Sequence, residues 1–88
     1  MIILEDLNRT KRFNRCLYKL IPNILEAEDS IYEVIDEIYT NPYSCVVEDG
    51  DFRSAFFTHK QTNKLFTIYF LIEENGDTIL LDIEEYQG

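Results

Sequence analysis

The chain has 88 residues, 45% of them hydrophobic, with six Phe, six Tyr and a formal net charge of −9. A chain of this length forms one domain whose single core buries roughly 60–65% of the surface exposed on unfolding, and so much apolar area excludes a disordered polypeptide. Net acidity argues against general nucleic-acid binding, which draws most of its affinity from phosphate neutralisation, and no apolar run approaches the ~18 residues of a membrane span.

The opening MIILEDL lacks the basic start and long apolar centre of a signal peptide, so a cytoplasmic protein with no membrane association is expected. In that compartment the two cysteines, Cys16 and Cys45, are expected as free thiols. Two Cys and the single His59 do not complete a tetrahedral zinc shell without a carboxylate at some unforced spacing, so neither a metal nor a cofactor is expected. The bases are clustered: Arg9, Lys11, Arg12, Arg15 and Lys19 fall within eleven residues that contain no acid, whereas from Leu20 onward three bases meet fifteen acids, a balance of −12. The pattern predicts one basic patch on an acidic body.

In chain order, residues 2–5 (IILE) form a short strand candidate. From Arg9 to Leu20 the residues Phe13, Cys16, Leu17 and Leu20 follow the i, i+3, i+4, i+7 spacing of an amphipathic helix. Lys11, Arg12, Arg15 and Lys19 gather opposite that stripe, either as a contact face for nucleic acid or a partner, or as a solvated helix face. Pro22-Asn23 interrupts the pattern, and Ile31, Val34, Ile35 and Ile38 then mark a second helix, surest over 30–39. Ser30 with Glu33 has capping-box spacing, as does Asn23 with Glu26, so the helix begins at one of two places. Asn41-Pro42 ends it, because proline disfavours a helical residue before it.

Past Pro42 the apolar period changes from helical to alternating. Residues 44–48 form a strand candidate, Asp49-Gly50 a tight turn, and 52–59 (FRSAFFTH) a strand with Phe52, Ser54, Phe56 and Thr58 on one face and Arg53, Ala55, Phe57 and His59 on the other. Residues 65–73 (LFTIYFLIE) are apolar on both faces, as befits a central strand, and Asn75-Gly76 predicts a type I′ turn into a last strand over 78–84. The expectation is an α+β domain spanning residues 1–88 in the order β-α-α-β-β-β-β. In it a helical hairpin packs on one face of a four- to five-stranded antiparallel sheet.

This order, with the local stretches DEIYTNP, DGDFRSAFF and KLFTIYFLIEENGDTILLDIEEY, resembles the RelE/ParE superfamily, the toxin components of bacterial toxin–antitoxin pairs. The resemblance covers nearly the whole chain. It implies an antitoxin-like protein partner, ribosome-bound messenger RNA or DNA gyrase as the target, and a homodimer as a permitted assembly. In the family's ribonuclease branch, Arg or Lys stabilises the charge that grows on phosphorus, while His, Glu or Tyr moves the proton of the ribose 2′-OH. Arg53 matches the family's sheet arginine and Tyr86 falls near its terminal functional position, which implies Arg53 as phosphate clamp and Tyr86 with His59 or Glu84 for proton transfer. Lys60 and Lys64, flanking the polar loop after the second sheet strand, are read either as nucleic-acid contacts or as solubility charges. Glu84 and Glu85 stand where relatives end in basic or His-containing segments. They point to the alternative of a non-catalytic acidic module that binds a basic protein or mimics nucleic acid.

Overall fold

The computed structural model describes residues 8–86; the strand expected at residues 2–5 lies outside them. Helices α1 (Lys11–Leu20) and α2 (Ile24–Thr40) come first, followed by a single 3-10 turn at Pro42–Ser44. Strands β1 (Val46–Asp49), β2 (Phe52–His59), β3 (Lys64–Ile72) and β4 (Thr78–Glu85) then form one antiparallel sheet in the order β1-β2-β3-β4. The architecture is α+β, with the helices on one face of a meander.

Each helix start is explained by a cap. Thr10 Oγ1 accepts from the Phe13 amide at 3.0 Å and donates to the Leu81 carbonyl at 3.1 Å, which starts α1 and ties it to β4. Asn23 Oδ1 accepts from the Glu26 amide at 3.0 Å, so α2 begins at the earlier of its two candidate positions. Ser30 is inside the helix and donates to the Glu26 carbonyl instead. A capping side chain satisfies an amide that the helix itself leaves without a partner.

Directly opposed residues share a face of a sheet, so the register sorts the side chains. Arg53, Ala55, Phe57 and His59 of β2 lie opposite Phe70, Ile68, Phe66 and Lys64 of β3, and Ile68 and Phe70 lie opposite Ile83 and Leu80 of β4. This inner face meets the helices: Phe13, Leu17, Ile21, Ala27, Ile31 and Ile38 pack with Phe66, Ile68, Phe70, Ile72, Leu80 and Ile83, all buried. A register shift beside Leu81 accommodates one extra residue in β4, a bulge that keeps both halves of the strand facing inward. On the far side of β4, Arg9 forms a parallel bridge with Leu80, through Thr10 N to Leu80 O at 3.1 Å and Leu80 N to Asn8 O at 2.8 Å.

The Asn75-Gly76 hairpin departs from the expected type I′ turn. Gly76 has φ 91°, but among the described residues Asn63 is the one non-glycine with positive φ, so Asn75 does not enter the left-handed region. The Gly76 amide bonds the Glu73 carbonyl at 2.8 Å, which makes Glu73–Gly76 the turn, and Asn75 Oδ1 accepts from the Asp77 amide at 2.9 Å. That side-chain bond gives Asn75 a local partner without positive φ, leaving the left-handed position to the glycine alone.

Phe70, on the inner face, is among the largest fully buried side chains. Phe70→Ala is expected to cost about 3–5 kcal/mol, read as a large drop in the urea midpoint with an unchanged slope.

Candidate functional site

The four residues implied for catalysis occupy two faces of the sheet. Arg53 and His59 are on the inner, helix-facing side; Glu84 lies opposite Thr67 on the outer side, and Tyr86 packs there against Phe56. Arg53 is also three residues along β2 from Phe56, which shares Thr67 with Glu84 as a cross-strand neighbour. That offset is about 10 Å at the rise of an extended strand. The fold does not bring the four together.

Each inner residue already has local partners. Arg53 Nη1 donates to the Cys45 carbonyl at 3.0 Å and the Tyr43 carbonyl at 3.3 Å, and its guanidinium lies 5.3 Å from the Tyr43 ring centroid. These bonds hold the 3-10 turn and the start of β1 against β2. His59 is buried, with Nδ1 2.9 Å from Thr62 Oγ1 and its ring beside Phe66. Its Nε2 is 3.2 Å from Glu26 Oε2, without hydrogen-bond alignment, while the Gln61 amide nitrogen, turned toward the same carboxylate, donates at 2.9 and 3.0 Å. His59 thus braces the β2–β3 loop through Thr62 and packs it beside the first turn of α2.

The basic residues lie on α1, where Lys19 lines a groove with Tyr69, Glu84 and Tyr86, and around the β2–β3 loop beside His59. Lys11, Arg12, Arg15 and Lys19 are exposed on α1, and Arg12 Nε donates to Asp82 Oδ2 at 3.1 Å around the edge of β4. Lys60 and Lys64 are exposed in and beside the β2–β3 loop, with Lys64 Nζ 3.8 Å from Glu85 Oε1.

Among the described residues no helix lies on the outer face of the sheet. Four aromatic residues cross it in two pairs: Phe52 stacks on Tyr69 with centroids 5.7 Å apart, and Phe56 meets Tyr86 edge-on at 5.6 Å. Beneath them Ser54 and Thr67 are buried, although no other layer of the described residues covers them. Phe56 remains 47% and Tyr86 50% exposed. Carboxylates rim this aromatic ladder, each oriented by a neighbour. Glu48 accepts from Ser54 Oγ at 2.7 Å, Glu84 from Tyr69 Oη at 3.1 Å, and Asp82 from Arg12. Burial, and then the bond to Glu84, raise the Tyr69 phenol above its ordinary value, so it stays a donor at neutral pH. The alternation in β2 identifies Phe52 and Phe56 as one face, but only the register places Tyr69 and Tyr86 beside them.

A second cluster was not legible in the sequence. Arg9 donates from Nη1 and Nη2 to the two Glu28 oxygens at 2.8 and 2.9 Å, Tyr18 Oη donates to the same carboxylate, and the Arg9 guanidinium lies over Phe13. These contacts clamp the segment before α1 to both helices. Among the described residues no group of three or more His, Cys, Asp and Glu is placed to hold a metal ion, and no helix is long and apolar enough to cross a membrane. Comparison with protein-family models, with curated protein sequences and with solved structures finds no match to this chain.

The clamp has a pH signature. Burial raises the Glu28 carboxyl, but the bonds from Arg9 and Tyr18 and the Arg9 charge outweigh it and hold the group below its ordinary value. A carboxyl depressed in the folded state contributes stability above its unfolded pKa and loses it as pH falls through the folded one. Glu28→Gln is therefore expected to lower the urea midpoint at neutral pH, and the gap from the parent should close as pH falls below about 4.

Proposed function

We propose that this chain is a non-catalytic interaction module of the cytoplasm that binds a basic protein partner through the open outer face of its sheet. The observation that carries this reading is the aromatic ladder of Phe52, Tyr69, Phe56 and Tyr86, uncovered by any helix of the described residues and rimmed by Glu48, Asp82 and Glu84. Covering the exposed halves of Phe56 and Tyr86 would remove roughly 200 Å² of apolar surface, a gross gain of about 5 kcal/mol before the costs of association. The rim supplies selectivity. Its carboxylates are held by neighbouring donors yet keep lone pairs for a partner's Lys or Arg, while a phosphate backbone is repelled. The free thiols of Cys16 and Cys45 fit a reducing compartment.

The element order supports a second reading. A helical hairpin followed by an antiparallel meander is the plan of the RelE/ParE-like toxins, and under it the chain is a toxin component bound by an antitoxin-like partner, acting as a ribosome-dependent mRNA endoribonuclease or a gyrase-type inhibitor. The separation of Arg53 from Tyr86 and Glu84 favours the binding module.

Two measurements test the pair. A synthetic peptide alternating Lys with Leu, titrated calorimetrically, should bind in a salt-sensitive manner and lose about tenfold in affinity, about 1.4 kcal/mol, to Phe56→Ala with Tyr86→Ala; salt-independent binding, or binding indifferent to both changes, contradicts the module. Inducible expression in a bacterial host should leave growth unimpaired. Growth arrest that Arg53→Ala relieves, with the variant still folded, would establish the toxin reading instead.

A further inference from the structure

We infer that α2 carries a second docking surface, on the opposite layer from the sheet face: a helix seam for a basic amphipathic helix of a partner protein. The core-facing stripe of α2 is Ala27, Ile31 and Ile38, with Val34 packed beside them. One residue on from Ile31, about 100° round the helix, runs a second line. Leu25, Glu28, Tyr32, Ile35 and Tyr39 repeat at alternating steps of three and four, the a and d positions of a heptad seam. Leu25 is 74% and Tyr32 63% exposed, while Ile35 and Tyr39 are partly buried against the edge of the core. Arg9, Tyr32, Ile35 and Tyr39 line a groove along this side.

The polar member of the seam is already neutralised. Glu28 accepts two bonds from Arg9 and one from Tyr18, so a helix laid over it meets a satisfied ion pair rather than a lone carboxylate. A charged group left unpaired under a partner would oppose docking; a paired one at a single core position fixes the register of the incoming helix.

Charge selects the occupant. Asp29 and Asp36 flank the seam on its exposed side, Glu33 and Glu37 lie beyond, and α2 contains no Lys or Arg. A second copy of α2 would set acid against acid. The chain's own α1 has the complementary bases, but its apolar residues Phe13 and Leu17 are spent in the core, which leaves no seam to offer another copy. The fitting partner is a different helix, with Leu- or Ile-like residues at its own seam and Lys or Arg beside them. This surface and the sheet face are separate, so one module can hold two basic elements at once.

The test uses the full chain and a peptide about three heptads long, with Leu at a and d and Lys at e and g. The peptide should bind with one-to-one stoichiometry and lose at least about tenfold in affinity to Leu25→Ala with Tyr32→Ala, two exposed positions whose truncation leaves the far-ultraviolet spectrum unchanged. A version with Glu in place of Lys should fail on the parent and gain binding on Asp29→Lys with Asp36→Lys. Phe56→Ala with Tyr86→Ala should leave helix binding unaltered, which separates this surface from the sheet face. Absent binding, equal binding of a scrambled peptide, indifference to the seam changes, or a dimer of the chain abolished by Leu25→Ala with Tyr32→Ala would overturn the proposal.

Discussion

The constraint on which the rest depends is one-sided burial. Two helices supply apolar stripes sufficient to cover one face of a four-stranded sheet, and the core is the seam between them, from Phe13 and Leu17 on one side to Phe70 and Ile83 on the other. Among the described residues no third layer covers the opposite face, which is protected by its own side chains. It does so with large rings: the paired aromatics bury Ser54 and Thr67 beneath them, and Phe56 and Tyr86 stay half exposed above. The same economy that makes the fold possible creates its most distinctive surface.

Electrostatics divides the molecule along the same lines. Of the bases of α1 and the segment before it, Arg9 is committed to Glu28 in a part-buried pair and Arg12 reaches Asp82 at the edge of β4, while Lys11, Arg15 and Lys19 are exposed on α1. The exposed face of α2 is acidic, and so is the rim of the outer sheet face apart from Arg12 at Asp82. The net charge of −9 thus includes two acidic surfaces on opposite layers, each beside exposed apolar residues, and the basic face of α1. Charge beside apolar area is the composition of a protein-docking surface, in which the apolar part gives affinity and the charge selects the partner.

Much of the fold was legible because its signals are local. The change of apolar period at Pro42 separates helices from strands, and the Phe13–Leu17 and Ile31–Ile38 spacings identify the buried stripes. Strand β2 spans 52–59 as alternation predicts, and Asn23 rather than Ser30 starts α2 because its side chain reaches the Glu26 amide. The 75–76 turn differs because a side-chain bond to Asp77 outcompeted the left-handed conformation that the Asn-Gly pair permits. The site was less legible. Whether Arg53 and Tyr86 share a face depends on the register of β2 on β3 and β3 on β4, including the bulge at Leu81, and no local pattern encodes that sum. The Arg9–Glu28–Tyr18 clamp joins residues nineteen positions apart, and the helical periodicity that located both helices says nothing of it.

The central claim is that the sheet has one covered and one open face. A soluble paramagnetic probe added to the protein in an NMR tube tests it most directly. The ring signals of Phe56 and Tyr86 should broaden strongly with probe concentration while those of Phe13 and Phe70 stay sharp. Protection of Phe56 and Tyr86 in the monomer, at the level of the core rings, would contradict the account.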